Sequence, residues 1–213
     1  MADFQTRIED IIGPIPSLAS DDSSAIQQAI TDALVDTSVD IINKVNPDIL
    51  IQYATKSSDA TSNPIASDVE NSKVLLVERR GEKDLYVSCV YVTPDLAGKI
   101  QNTDSIFYPS SEMPNWTWSD NDLYVYPEPS ASNPCRYYIM SNPTVAYDST
   151  TVAKFPNELE HALIVGASAR LKQRFISFFN EDEDPELVQL HRAQWAEISQ
   201  LYQDLLSPYM VSS

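Results

Sequence analysis

Residues 155–175 read FPNELEHALIVGASARLKQRF, and this stretch predicts a helix with an acidic start and an apolar body. Pro156 stands in the first turn, where the missing N–H of proline costs nothing. Glu158 and Glu160 follow near the positive end of the helix dipole, which favours acidic side chains. Apolar residues then recur at helical spacing. We therefore predict a core helix over residues 156–179.

A metal site at the start of this helix is a weaker interpretation of the same stretch. Glu158 and His161 are three residues apart and would share a helix face. Metal sites in helical bundles need a second such pair and further carboxylates. The other histidine, His191, has no acid three residues before it. We therefore interpret the acids as a helix start and predict neither a metal ion nor a cofactor.

Other catalytic motifs are also missing from the sequence. No closely spaced glycines could cradle a phosphate, and no Gly-x-Ser-x-Gly motif is present. The acidic run EDEDPE, residues 181–186, lacks the alternating ligands and the central glycine of a calcium loop. We therefore expect no enzyme activity and no catalytic residues.

Helices are predicted at both ends of the chain. A short amphipathic helix spans residues 3–12, and apolar residues at three- and four-residue spacing predict a longer one over residues 23–45. A further pattern spans residues 186–206 and includes Trp195, which we expect to be buried. Together with residues 156–179, these segments predict an antiparallel helical bundle.

Short strands are predicted in the middle of the chain. The strand-like tracts are KVLLVERR (73–80), KDLYVSCVYV (83–92), SIFYP (105–109), NWTWS (115–119), DLYVYPEP (122–129) and CRYYIMSNP (135–143). Residues 56–72 are polar and lack periodicity, so we interpret them as a linker or long loop. The predicted fold class is α+β, in which a helical bundle of residues 1–72 and 148–213 carries an inserted small antiparallel β lobe of residues 73–147.

The chain is strongly acidic, with a formal net charge of −17 and an isoelectric point of about 4.2. An acidic surface repels phosphate and anionic lipid, so we do not expect groove-reading of DNA or a membrane partner. A surface that DNA slides past without adhering remains compatible with this charge. No apolar run approaches the length of a membrane span, and no secretory signal opens the chain, so we expect synthesis in a cytoplasm.

Two cysteines, Cys89 and Cys135, lie in apolar, strand-like tracts. This placement is typical of buried free thiols, which pack as small hydrophobic groups. A disulfide is the alternative, and the sequence leaves it open.

Aromatic residues crowd the predicted β lobe. Alternation puts Trp116 and Trp118 on one face of their strand, and Tyr124 and Tyr126 on one face of theirs. Such faces fill small β cores or protein interfaces, where Trp and Tyr are enriched. Base stacking is disfavoured because no basic residues are interleaved. These four residues are our candidates for partner docking, and sugar binding is the alternative.

The order of these tracts resembles the neck proteins of tailed bacteriophages, of the head-to-tail connector or adaptor type. The resemblance rests on the turn VTPDLAGKI, the tract DSIFY, PNWTW and DLYVYPEP, followed by CRYYIMSNPTVAYDSTTVAKFPNELEHALIVGASARL. It spans roughly residues 20–206, and its motifs are structural rather than catalytic.

The resemblance implies a structural virion protein of the neck, between capsid and tail, made in the host cytoplasm. Such proteins form homo-oligomeric rings, usually of twelve copies, whose helical part docks to the portal protein. Other parts carry tail or nozzle proteins, and viral DNA passes through the lumen without specific binding. A carbohydrate-binding module or a tail accessory protein that uses the aromatic β lobe is the alternative.

A ring of such acidic chains needs attractive contacts between its copies. Arg170, Lys172 and Arg174 cluster near the end of one predicted helix, and Glu181 and Asp182 follow. We predict that these residues lie at the subunit interface, where the bases pair with acids of the next copy. The alternative is that the bases only complement the negative end of their own helix.

Overall fold

The computed structural model confirms the α+β class. It describes residues 2–15, 23–67, 72–81, 84–179 and 185–210. The α-helices in these residues are α1 (Phe4–Ile12), α2 (Ser23–Lys44), α3 (Pro47–Leu50), α4 (Ala97–Gln101), α5 (Glu160–Phe179) and α6 (Pro185–Leu206). The strands are β1 (Thr55–Lys56), β2 (Ser72–Arg80), β3 (Tyr86–Ser88), β4 (Val90–Tyr91), β5 (Asn115–Ser119), β6 (Asp122–Tyr126) and β7 (Cys135–Ser141). None of the helices in these ranges is long and apolar enough to cross a membrane.

The chain divides into two compact units. We call them the helical unit, Met1–Tyr53 with Asn142–Ser213, and the β unit, Ala54–Ser141. The division expected from the sequence was residues 1–72 with 148–213, and residues 73–147. The structure therefore places residues 54–72 in the β unit and residues 142–147 in the helical unit.

The helical unit is built around α5, which packs against α1, α2 and α6. Every residue from 162 to 169 is buried. A helix that is apolar on all sides is stable only when other elements surround it. The predicted spans of the long helices agree with the observed ones to within a few residues. Trp195 on α6 is only partly buried, so the prediction that it is a core residue is wrong.

Close approach of three helices in this unit depends on Gly166. A Cβ atom added there would lie 2.5 Å from Thr37 Cγ2 on α2 and 2.7 Å from Tyr202 Cε2 on α6. These distances are far below van der Waals contact, so glycine lets α2, α5 and α6 meet at one point.

The β unit contains two sheets. One is antiparallel throughout, with strand order β1-β7-β2-β3, and the other has the order β4-β5-β6. In the second sheet β4 pairs with β5 in parallel, which corrects the expectation of purely antiparallel strands. A buried apolar cluster, which we call the β core, consists of Ile65, Ala66, Val77, Cys89, Leu123, Val125 and Cys135.

The polar stretch 56–72 contributes to this unit and is not a simple linker. Ile65 and Ala66 are buried in the β core. Asn63 holds the stretch in place, since its side-chain amide donates to the Val125 carbonyl at 2.8 Å and its side-chain oxygen accepts from the Val125 N–H at 3.0 Å. Ala60 pairs with Cys135, and Ala66 with Leu123, only as isolated bridges. Such single pairs leave no periodic pattern in the sequence, which explains why the pattern indicated a loop.

The predicted strand SIFYP, residues 105–109, is instead a turn. The side-chain oxygen of Asn102 accepts from the Asp104 N–H at 3.0 Å, and the Ser105 hydroxyl accepts from the Phe107 N–H at 3.1 Å. Short polar side chains that bond the nearby backbone compete with strand pairing in this way. The apolar residues of the tract therefore do not join a sheet.

Candidate protein-interaction surfaces

The basic residues near the end of α5 do not form one cluster. Arg170 and Arg174 are exposed, whereas Lys172 is 3% exposed. Residues four apart on a helix share a face, but a residue two positions away points elsewhere. Lys172 Nζ lies 3.5 Å from the Ile12 carbonyl oxygen, and burial lowers the pKa of its amine. Lys172 is therefore a core residue and is not available to a neighbouring copy, contrary to its predicted place at the interface.

The two exposed arginines form one wall of a groove, and Asp32 and Asp36 of α2 stand on the other. We call this feature the charged groove. It encloses about 670 Å³. Its lining residues are Gln28, Thr31, Asp32, Ala33, Val35, Asp36, Arg170, Leu171, Gln173 and Arg174. Both acids are exposed, and Asp32 accepts a hydrogen bond from Gln28 Nε2 at 2.7 Å.

No ion pair between described residues involves either arginine or either acid of this groove. The ion pairs in those residues are Arg7–Glu160, Lys44–Asp40, Arg80–Asp84 and Arg136–Glu78. As far as the described residues go, the charged groups of the groove are therefore exposed and can pair with groups from another molecule.

A partly buried polar network lies close to Arg170. Tyr202 of α6 donates its hydroxyl to Asp40 Oδ2 at 2.8 Å, and Lys44 Nζ donates to the same oxygen at 2.8 Å. Burial pushes the pKa of Asp40 upward, but these hydrogen bonds and the charges of Lys44 and Arg170 outweigh it, so the pKa is lowered. Burial, followed by the bond to Asp40, raises the pKa of Tyr202. The network fixes α6 to α2.

The acids at the start of α5 have ordinary structural partners. Glu160 lies in the first turn of α5 and forms an ion pair with Arg7 of α1. Glu158 lies in a preceding 3-10 turn, Asn157–Leu159, and accepts a 3.4 Å hydrogen bond from the Tyr53 hydroxyl. His161 is exposed. Within the part of the chain that the structure describes, no three His, Cys, Asp or Glu residues are grouped to hold a metal ion. Glu181 and Asp182 lie outside that part.

The two pairs of aromatic residues lie on opposite faces of their sheet. Trp116 is paired with Val125 and Trp118 with Leu123 across the antiparallel β5–β6 ladder, so both tryptophans share the face of the β core. Tyr124 lies opposite Thr117 on the other face. Directly paired residues of a ladder point to the same side. The four aromatic residues therefore cannot form one docking surface, although each pair does share a face as expected.

Sequence patterns missed a set of exposed apolar residues in residues 90–113. Its members are Val90, Tyr91, Leu96, Ile106, Phe107 and Met113. The side chains of Ile106 and Phe107 are 93% and 57% exposed. The signal that could have found them is the turn-forming run Asn-Thr-Asp-Ser, residues 102–105, directly before two apolar residues.

The two cysteines are free thiols in the β core. Burial raises the pKa of both, and that of Cys135 reaches about 12. Because the thiolate is the reactive form, such thiols are chemically inert at neutral pH.

No protein-family model matches the chain, and no curated protein is significantly similar to it.

Proposed function

We propose that this chain is a structural virion protein of the head-to-tail adaptor type, which forms a ring between the portal and the tail of a bacteriophage. The charged groove is the observation that carries the proposal. It presents two arginines to solvent in a chain that has 31 acidic residues and 14 basic ones. Acidic groups of a neighbouring copy are the natural partners of these arginines.

A closed ring requires two different surfaces on each copy, so that every copy contacts the next in the same way. At a net charge of −17 per chain, copies repel each other unless the few exposed bases lie where they meet acids. Arg170 and Arg174 are exposed and can meet this condition, whereas Lys172 is buried and cannot. The remaining exposed acids suit a lumen that DNA traverses without adhering.

Two separate units agree with an adaptor that carries two kinds of partner. In this proposal the helical unit contacts neighbouring copies and the portal protein, and the β unit contacts tail or nozzle proteins. The packing of Trp116 and Trp118 against the β core gives no support to the sugar-binding alternative.

The test is the size of the assembly at increasing salt concentration, measured by sedimentation with and without the portal protein. Exposed ion pairs are screened by salt, so the wild-type ring should loosen as ionic strength rises. Arg174→Glu should assemble poorly even at low salt. Arg192→Glu is the matched control, because Arg192 is an exposed arginine of α6 outside the groove, and this variant should assemble like wild type.

Two results would contradict the proposal at different points. If rings of wild type and of Arg174→Glu both persist at about 1 M salt, where the Debye length is about 3 Å, the charged groove does not hold neighbouring copies together. If the protein stays monomeric at every salt concentration, even with the portal protein present, the chain does not form a ring.

A further inference from the structure

We propose that the exposed face of α6 docks into the charged groove of the next copy in the ring. This contact rests on the proposed function, which supplies the ring, and it names the segment that each copy presents to its neighbour. The groove lies between α2 and α5 of one copy, and α6 of another copy is its occupant.

One face of α6 is exposed along the whole length of the helix. We call it the α6 stripe; its members are Glu186, Leu190, Ala193, Glu197, Leu201 and Asp204. All six residues are exposed. Successive members are three or four positions apart, so they follow one another along a single side of the helix. At a rise of about 1.5 Å per residue, the stripe is continuous over about 27 Å.

The α6 stripe combines leucines with acids. Among the described residues of the helical unit, the large exposed apolar ones are Leu190, Leu201 and Met210, at 54%, 46% and 40%. The two leucines both lie on the stripe, and Glu197 stands between them. The charged residues of the stripe are all acids. A helix face with apolar anchors at this spacing is typical of a helix that docks into a groove.

The charged groove offers the complementary chemistry. Arg170 and Arg174 are exposed one turn apart on α5, so they can form charge-assisted hydrogen bonds with acids of the stripe. The lining also contains Ala33 and Leu171, which are buried and offer apolar contact to a leucine. The volume of about 670 Å³ is in the range of pockets that hold a small ligand. The groove can therefore accept the side chains of one helix face.

The two acids of the groove restrict how the stripe can lie. Asp32 and Asp36 on α2 repel the acids of the stripe. Gln189 and Gln200 are exposed along one flank of the stripe, and their amides can donate to carboxylates. Gln200 uses one amide N–H to reach Asp204 at 2.8 Å, and an amide carries two. The stripe therefore lies with its acids toward α5 and its amides toward α2.

Charge and exposure exclude the other arrangements of two copies. The stripe does not fill the groove of its own chain, because its residues are exposed within one copy. Two copies that met through their stripes would place acids against acids, which disfavours association. The groove and the stripe are two different surfaces of one copy, as a closed ring requires. The occupant of the groove is therefore the α6 stripe of the next copy.

Cross-linking between two cysteine variants of the full-length protein tests the contact. Gln173→Cys places a thiol in the groove and Ala193→Cys places one on the stripe, and both changes leave every charge in place. The variants are mixed at low ionic strength and treated with a short bismaleimide. Cys89 and Cys135 react little, because they are buried and their pKa values are raised. Arg192→Cys is the matched control, since Arg192 adjoins Ala193 in sequence but points to another side of the helix.

We expect cross-linked dimers from the mixture of Gln173→Cys and Ala193→Cys, and at least about tenfold fewer when Arg192→Cys replaces Ala193→Cys. No dimers in the first mixture, or equal yields in the two mixtures, would overturn the proposal. Dimers from Gln173→Cys or Ala193→Cys alone would identify a contact between like surfaces and would also overturn it.

A reversal of charge tests the pairing itself. Glu197→Arg should raise the protein concentration needed for half-assembly at least about fivefold, because an attractive pair becomes a repulsive one. Arg174→Glu/Glu197→Arg should assemble better than either single variant, because the reversed charges attract again. Sedimentation at low ionic strength measures all three. A double variant no better than the single ones would contradict the pairing.

The α6 contact and the ring can fail separately. If rings form and loosen with salt, but Gln173→Cys and Ala193→Cys do not cross-link, the ring stands and the α6 contact is wrong. If the two variants cross-link into pairs or short chains and no ring appears with the portal protein present, the α6 contact stands and the proposed ring is wrong.

Discussion

The helical unit and the β unit differ in how their buried hydroxyl groups are bonded. In the helical unit, the Thr37 hydroxyl donates to the Ala33 carbonyl at 2.6 Å and the Ser168 hydroxyl donates to the Ile164 carbonyl at 2.8 Å. In the β unit, the Thr117 hydroxyl is buried as well. Among the described residues, Thr117 Oγ1 has no hydrogen-bond partner, and the same holds for Nη1 of the buried Arg79.

The difference comes from the geometry of the two kinds of element. A helix offers a carbonyl one turn back to any buried hydroxyl, so small polar residues fit where helices approach closely. Side chains on a strand point away from their own ladder and must find partners elsewhere. Arg79 does so by donating from Nε to the Pro127 carbonyl at 3.1 Å. The β unit also exposes large apolar residues in its connections, among them Ile106 and Phe107.

The largest effect that separates the two units is expected at their glycines. Gly166→Ala should destabilise the protein by about 2 kcal/mol, because the new Cβ would overlap Thr37 and the ring of Tyr202. Gly98→Ala is the control, since Gly98 lies in α4 of the β unit with no atom within 4 Å of an added Cβ. That change should be neutral or stabilise by up to about 1 kcal/mol. Urea unfolding measures both.

Equal free energies of unfolding for the two glycine variants would contradict the close approach of α2, α5 and α6. A Thr37→Ser/Gly166→Ala double variant sharpens the test. Removing the Thr37 methyl group should recover part of the loss, because that methyl carbon is the atom nearest to the added Cβ.

Alkaline pH should destabilise the protein first through the β unit. Burial raises the pKa of Cys89 and Cys135 above the ordinary 9.0, to about 12 for Cys135. Stability from each thiol is therefore complete below about pH 9 and falls as pH rises, because only the unfolded chain releases the proton. Each thiol should contribute a loss of about 1.4 kcal/mol per pH unit above that point. The ordinary pKa of a tyrosine is 10.0, and that of Tyr202 in the helical unit is raised. Its contribution to stability is therefore lost only above about pH 10.

The measurement is urea unfolding under reducing conditions at several pH values between 8 and 10. Cys135→Ala should lower the slope of the unfolding free energy against pH between about 9 and 10, whatever its effect on stability at neutral pH. An unchanged slope would mean that this thiol ionises as easily in the folded protein as in the unfolded chain.

The smallest effect compares two tyrosine–aspartate hydrogen bonds. Tyr202 in the helical unit donates to Asp40 at 2.8 Å and is 7% exposed, whereas Tyr86 in the β unit donates to the exposed Asp59 at 2.7 Å. Tyr202→Phe should cost about 1 kcal/mol, because a buried donor to a charged group is lost. Tyr86→Phe should cost less than about 0.5 kcal/mol, because water replaces the exposed bond. Similar losses for both variants would contradict the difference in burial.

Sequence patterns could not place some residues, because a pattern contains no information about which residues are neighbours in space. Lys172 lies beside two exposed arginines in the sequence, yet its side chain points toward α1 and is buried. Trp195 has helical spacing typical of a core residue, but α6 leaves it partly exposed. The SIFYP tract has the composition of a strand, but local hydrogen bonds to Asn102 and Ser105 hold it in a turn, so it pairs with neither sheet.

The sequence by itself determined the α+β class, the three long helices and the strand-like tracts that contain β2 and β3, because periodicity and turn residues act over a few neighbouring positions. Only the tertiary structure decided which charges of α5 reach solvent, on which side of β5 and β6 each aromatic pair lies, and that Ile106 and Phe107 are exposed. These depend on strand register and on which helix covers which face. Both are set by contacts between residues far apart in the chain, which local patterns do not encode.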